Sequence, residues 1–424
     1  MSALRSNGRT SALPHTACPD STVALALDPY RFISTTCAQL GTDVFQTRFM
    51  LQRTICMVGK EAAELICDPS RFVRSGAAPR RIKKTLTGRG AVQSLDGEAH
   101  RHRKAMFMSL MTGDHIARLT SITAEHLGAR MRALKADDRV TLYAEVREIL
   151  TRSACAWAGV PLEERDVRWR TAQLTAMFDR AAAAGPAYLW ARLARIQAES
   201  WSRDLIRQAR LRKLQPSEDS ALFTIAWHRD RRGELLDTHT AAVELLNVLR
   251  PVVAVSVYIV FVALALHEHP AFQQRLRTDA SFVDAFVHEV RRFYPFFPFI
   301  GARTRCDFKW NGYRFPRDTR VLLDLYGTNH DRRIWDDPSA FRPERFYEQE
   351  VGMFGFIPQG PGDHFVNHRC PGEGITIELM KRAARFLSND IRYQVPRQDL
   401  RIEWRRLPAL PRSRFELTGI TTIT

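Results

Sequence analysis

The chain has 424 residues, 45% hydrophobic and 26% charged, which is enough to bury a large core and, by length alone, to form roughly two or three domains. A net charge of +17 and a pI near 10 create a positive field that attracts nucleic acid, anionic membrane, acidic small molecules or an acidic protein without choosing among them. The seven cysteines (18, 37, 56, 67, 155, 306 and 370) are odd in number and form no CxxC pair, which argues against a disulfide framework or a zinc site and for a reducing compartment.

Residues 1–20 lack an apolar signal core and read as a flexible tail, leaving 21–424 as one domain. "TVALALDPYRFISTTCAQLG" has helical spacing, and "VFQTRFMLQRTICMVG" alternates as a pair of strands. From Gly97 to about Pro270 the pattern is helical, with breaks at Gly113, at Gly159-Val160-Pro161, at Gly185-Pro186 and around Pro216. Within it, "ARLARIQAESWSRDLIRQARLRKLQ" is a basic helix with an apolar side. It fits a solvated helix face, and it also fits a surface that draws in amphiphilic anions or touches an anionic membrane. "CDFKWNGYRFPRDTRVLLDLYG" returns to strands with a turn at Asn311-Gly312, and Ile391 to Ile420 reads as short strands between prolines. The fold class is therefore mainly α with small β-sheets, without repeats or a visible domain boundary.

Thr238 to His267 reads as one helix of about 30 residues at ~1.5 Å each, apolar on nearly all faces after Pro251 and so central. Its longest apolar run, Val252 to Leu266, is too short to span a bilayer, so no transmembrane segment and a cytoplasmic location are expected. Inside "ELLNVLRPVVAVSVY", Arg250 is a permanent charge that is costly to bury unpaired. Pro251 cannot donate to the carbonyl of Asn247, which predicts a kink or a widened turn.

"FIPQGPGDHFVNHRCPGEGITIELMKRAARFL" places Cys370 at the end of an irregular loop just before a helix, where free N–H groups and the helix dipole favour a thiolate. Such a sulfur serves equally as nucleophile, redox sensor or metal ligand. Upstream, "HEVRRFYPFFP" sets Glu289 and Arg292 at i, i+3, and "WDDPSAFRPERF" follows. In this order the motifs resemble the cytochrome P-450 superfamily of haem-thiolate enzymes over nearly the whole chain.

The resemblance implies a long central helix over haem b, with Cys370 as the axial thiolate and metal ligand. It implies that Glu289, Arg292 and Arg345 form a structural charge cluster bracing the Cys loop, and that His368, His100, Lys104 and Arg303 reach the haem propionates. Two departures stand out. Phe356 and Gly360 precede an enlarged loop, "PGDHFVNHR", and the acid-alcohol pair that delivers protons to dioxygen in relatives is replaced by Arg250 and Pro251.

With "RPERF", "FIPQG" and "HRCPGE", the Arg-Pro pair resembles the fatty-acid peroxygenase branch, which uses hydrogen peroxide. There the arginine clamps the substrate carboxylate, and a guanidinium does match a carboxylate with two charge-assisted hydrogen bonds. The carboxylate then acts as general base and general acid in place of the missing side chain. The resemblance also places Gln93 where Gln accompanies hydroxylation and His accompanies decarboxylation, and Leu86, Thr87, Phe178 and Phe296 on the substrate pocket. The expected activity is peroxide-dependent hydroxylation of long-chain fatty acids at the α (C2) carbon, with β as a second product and no obligatory redox partner. Competing readings are a monooxygenase fed by a redox partner, a fatty-acid decarboxylase giving terminal alkenes, and a haem sensor or fatty-acid carrier. Nucleic acid is not an expected partner, because no binding motif accompanies the charge.

Overall fold

The computed structural model describes residues 12–135, 137–181 and 183–423. Helix dominates, and the helices pack around a central one, Thr238–Glu268, which touches Leu142–Trp157, Val167–Asp179, Gly185–Arg210 and Glu373–Arg385. Asp237 caps its start by accepting from the Thr240 N–H at 2.9 Å. From Ala241 to Leu266 every residue except Pro251 is buried, as its all-round apolar character requires. By length and mean hydropathy (2.3) this helix would suffice to cross a membrane, but 94% of the apolar window lies inside the protein. The backbone keeps α-helical assignment across Pro251, so the widened turn expected there does not form. Only one backbone donor is missing at that point, and packing on every side holds the regular geometry.

A five-stranded sheet flanks the helices in the spatial order Val44–Phe49, Gln52–Met57, Arg320–Asp324, Phe299–Thr304 and Phe72–Val73. Its first two strands are the hairpin read from the sequence, and Gln52–Met57 runs parallel to Arg320–Asp324. Asn311 and Gly312 take φ of 47° and 78°, the left-handed pair that closes the tight hairpin Phe308–Trp310/Tyr313–Phe315. Ile391–Gln394 and Glu416–Thr422 pair with each other, and Val140–Thr141 completes that smaller sheet.

Residues 1–11 of the expected tail lie outside the described residues. The remainder is not loose. The Gln46 N–H donates to the Pro14 carbonyl at 2.7 Å, and the hydroxyls of Thr16 and Ser21 meet Thr47 Oγ1 at 2.9 and 2.7 Å. The outer strand Val44–Phe49 has backbone groups to satisfy, and this segment covers them.

Candidate functional site

Cys370 lies two residues ahead of Gly372, the N-cap of Glu373–Arg385. Its backbone N–H donates to the Gln359 carbonyl at 3.1 Å, which ties the two ends of the loop together. Burial pushes the thiol pKa up and Glu373 adds to this, while the Gly372 N–H, Lys104 and the Gln359 side chain pull the other way. Burial thus opposes the thiolate that the helix terminus favours, and a cation bound at the sulfur would offset that penalty.

Glu373 locks the base of this loop. Its carboxylate accepts from Arg369 at 2.6 and 3.1 Å, from His364 Nε2 at 2.8 Å and from Arg291 of the helix Phe282–Phe293. Burial by itself would raise its pKa, but the Arg291, His364 and Arg369 contacts override this and hold the carboxyl well below the usual range. One helical turn away, Glu289 and Arg292 form a double hydrogen bond at 2.7 Å, and Arg345 Nε reaches Glu289 at 3.2 Å, with all three side chains fully buried. The remaining donors are used as well. Arg292 donates to the carbonyls of Asn329, Pro338 and Ala340, and Arg345 to those of Asp336, Asp337 and Ala340. A network satisfied to this degree fixes the segment that precedes the Cys loop.

On the N-terminal side of Cys370 the charge balance is reversed. The rings of His100 and His368 stack at 3.8 Å, and Lys104 donates to the carbonyls of Asn367 and Arg369, the latter at 2.8 Å. Burial lowers His100 to about 4, Lys104 to about 8 and His368 well below the ordinary imidazole range, with Arg74 depressing both histidines further. Arg303 stands on the strand Phe299–Thr304, paired with Val73 next to Arg74. Its Nη2 donates to the Asp318 carbonyl at 3.0 Å, and its Nε has no partner. Imidazoles with no carboxylate hydrogen-bonded to them among the described residues, beside a buried ammonium and Arg74, suit a group carrying two anionic carboxylates. A soft sulfur with backbone and amide donors suits its metal. The residues present fit haem b on both counts.

Arg250 stands in the N-terminal half of the central helix. It is 7% exposed, and no carboxylate lies within ion-pair distance among the described residues. Its Nη1 donates to the Leu86 carbonyl. Burial pushes its pKa down to about 9, with the neighbouring Arg195 guanidinium contributing in the same direction. Arg195, 1% exposed, donates to the carbonyls of Leu86 at 3.2 Å and Thr87 at 3.3 Å and pairs with Glu199 at 2.7 Å. Asn247 donates to Thr87 O at 3.1 Å and leaves its Oδ1 unpartnered. Thus Leu86 and Thr87, expected to line the pocket with side chains, meet this cluster through their carbonyls. Gly88 permits the approach: its φ is +88°, and a methyl group there would fall 2.2 Å from Arg195 Nη2.

Gln93 sits in the turn Val92–Ser94, exposed, while the adjoining Val92 N–H donates to Glu244 at 2.9 Å. Glu244 is fully buried, paired with Arg103 at 2.9 Å and bonded by Asn247 at 3.0 Å, so it anchors this turn to the central helix. Phe178 is buried in the main core, and Phe296 stacks on Tyr258 at 4.4 Å. The structure therefore gathers His100, His368 and Lys104 around the Cys loop, and Leu86 and Thr87 around Arg250. Arg303 donates to the Asp318 carbonyl. Sequence reasoning missed Arg74, Arg195, Glu373 and the pair Glu244 and Asn247, one turn apart on the central helix, because their partners come from separate segments. Glu373 alone had a signal, standing three residues after the cysteine in "HRCPGE".

A family model described as Cytochrome P450 matches residues 262–389. Among curated proteins, the chain is 36% identical over 107 residues to dimethylnonatriene synthase of Arabidopsis thaliana and 29% identical over 140 residues to cytochrome P450 76A2 of Solanum melongena. These matches cover 24% and 32% of this chain, and the chain spans only 20% and 27% of the length of those relatives. Solved structures match from end to end. Cytochrome P450SP alpha (CYP152B1) in complex with (R)-ibuprophen is 48% identical with a TM-score of 0.94, covering 95% of this chain and 99% of that one. Cytochrome P450EX alpha (CYP152N1) with myristic acid is 42% identical, with a TM-score of 0.95 and coverage of 97% and 100%. A variant of cytochrome P450 OleT in complex with arachidonic acid is 33% identical, with a TM-score of 0.95 and coverage of 98% and 99%.

Proposed function

We propose that this chain, which belongs to the cytochrome P450 family and within it to the fatty-acid peroxygenase branch, uses hydrogen peroxide to hydroxylate long-chain fatty acids at the α (C2) carbon, with β hydroxylation as a minor course. The protein is a haem-thiolate oxidoreductase whose cofactor is haem b on an axial cysteine. Cys370 is the ligand we assign, with His100, His368, Lys104 and Arg74 facing the propionates. When bound, haem on a thiolate supplies the oxidising power that turns peroxide into a C–H hydroxylating reagent.

The observation that carries the reading is Arg250, a buried guanidinium that, among the described residues, is engaged only by the Leu86 carbonyl. Uncompensated burial of a cation is unfavourable, and a carboxylate offering two parallel hydrogen bonds offsets it. An acid clamped there presents its C2 and C3 carbons first, which selects those positions over the far end of the chain. Neither an acid nor a hydroxyl stands at positions 250 and 251, and Glu244 is committed to Arg103, Asn247 and Val92. The substrate carboxylate oriented by Arg250 is thus the group left to take a proton from peroxide and return it to the departing oxygen. Gln93 in place of His favours hydroxylation over loss of carbon dioxide. Relatives crystallised with myristic and arachidonic acids support the substrate class. We place the enzyme in the cytoplasm with no obligatory redox partner.

The test is the holoenzyme with myristic acid and hydrogen peroxide, without reduced nicotinamide or redox proteins. Mass analysis is expected to show 2-hydroxymyristic acid as the main product. No product under these conditions, with turnover restored by a reductase system, identifies a redox-partner monooxygenase instead.

A further inference from the structure

Away from the site, the helix Gly185–Arg210 carries an apolar stripe turned to solvent. Leu189, Leu193 and Ile196, at i, i+4 and i+7, are 62, 54 and 47% exposed. Trp169 on the preceding helix, 43% exposed, extends the stripe, its ring 5.6 Å from that of Trp190. Beside Leu189 opens a cleft of about 550 Å³, with Arg80, Arg81 and Lys84 on one wall and Tyr188 and Leu189 on the other. Arg81 lies over the Tyr188 ring at 4.2 Å, and Arg192 donates to the Lys84 carbonyl at 2.6 Å. No Asp or Glu occurs between Asp68 and Asp96, or between Asp179 and Glu199, so one wall is cationic and neither segment carries an acid. The segment on the basic wall continues into Leu86, whose carbonyl Arg250 holds.

We propose that this face adsorbs to an anionic lipid bilayer. Exposed leucine, isoleucine and tryptophan ringed by cations without acids match an interface in which an apolar phase begins just below negative headgroups. An acidic protein would answer the charge but offers no apolar phase for three protruding aliphatic side chains, so the bilayer is the occupant the stripe favours. Adsorption would set the mouth of the cleft against the membrane, and fatty-acid anions would pass Arg80, Arg81 and Lys84 on the way to Arg250. The adsorption stands on the patch alone, and only this routing rests on the fatty-acid reading.

Sedimentation of the holoenzyme with phosphatidylcholine vesicles, with and without phosphatidylglycerol, at low and high salt, tests the proposal. Binding to the phosphatidylglycerol vesicles alone, weakened by salt, is expected. Leu193→Ser with Ile196→Ser should cut the bound fraction while leaving haem content and turnover of dispersed myristate unchanged. Arg80→Gln with Lys84→Gln should lower vesicle affinity about tenfold or more. Absence of sedimentation by the unsubstituted protein overturns the proposal, including a case where an acidic protein binds the face instead, and so does binding indifferent to both pairs of substitutions. Vesicle binding without any oxidation of myristate leaves this inference standing and removes the fatty-acid reading.

Discussion

Two arginine sites in the same core are buried to a similar degree and are built for opposite purposes. At Glu289–Arg292–Arg345 each guanidinium has a carboxylate and backbone carbonyls to spend its donors on, and the cluster is closed. At Arg250 a second cation, Arg195, stands nearby, one carbonyl answers the charge, and the cluster is open. A closed network stabilises what is already there, whereas an open one stores an unmet electrostatic demand that an incoming anion fulfils. The comparison explains how one fold keeps both without contradiction, since each belongs to a different stage, one to folding and the other to binding.

The largest effect is expected from opening the closed site. Glu289→Ala strands two buried guanidinium groups and should cost about 3–5 kcal/mol, seen as a large drop in the denaturation midpoint and loss of bound haem. Emptying the open site should do the reverse. Arg250→Ala is expected to leave the denaturation midpoint of the holoenzyme unchanged or higher, while weakening myristate binding by about 30-fold or more in a spectral titration and abolishing peroxide-driven oxidation. Equal destabilisation by the two substitutions would erase the distinction between the sites.

A pH experiment sharpens the closed side further. His330, packed against Phe293 and Tyr326, is lowered to about 3 by burial first and by Arg292 second. The unfolded chain therefore binds a proton between about pH 6.5 and 3 that the folded one does not, so stability falls as the pH is lowered through that window. Going from pH 6.5 to 5 should remove about 2 kcal/mol from this residue alone, and His330→Phe should flatten that part of a denaturant-midpoint profile. The smallest effect is a change of product. Gln93→His is expected to raise the share of terminal alkene over 2-hydroxy acid in gas chromatography without altering haem content.

Much of the architecture was legible in the chain because it rests on local periodicity and turn chemistry. The central helix, the hairpin ending at Met57 and the Asn311-Gly312 turn each follow from a pattern within a few tens of residues. Strands Phe72–Val73 and Phe299–Thr304 were not visible, being too short or too irregular to alternate, and they exist because a sheet edge is there to receive them. Residues 12–20 read as tail for the same reason, since their partners, the edge of Val44–Phe49 among them, lie on distant segments. The site shows the same division. Arg250 announces itself by residue type in an unlikely place, and Cys370, Glu289 and Arg292 only through the order of their motifs, whereas Arg74 and Arg195 are indistinguishable from the many other arginines of a strongly basic chain.

The sequence by itself determined that a permanently charged residue would sit in the middle of a helix apolar on every side, because periodicity and composition leave that helix nowhere to lie but the core. Whether the charge would be neutralised there was decided only by the tertiary structure. Partners for a buried cation come from segments distant along the chain, and it is the packing of Lys83–Thr87 and Gly185–Arg210 near the central helix that brings one carbonyl and a second arginine to Arg250, but, among the described residues, no carboxylate.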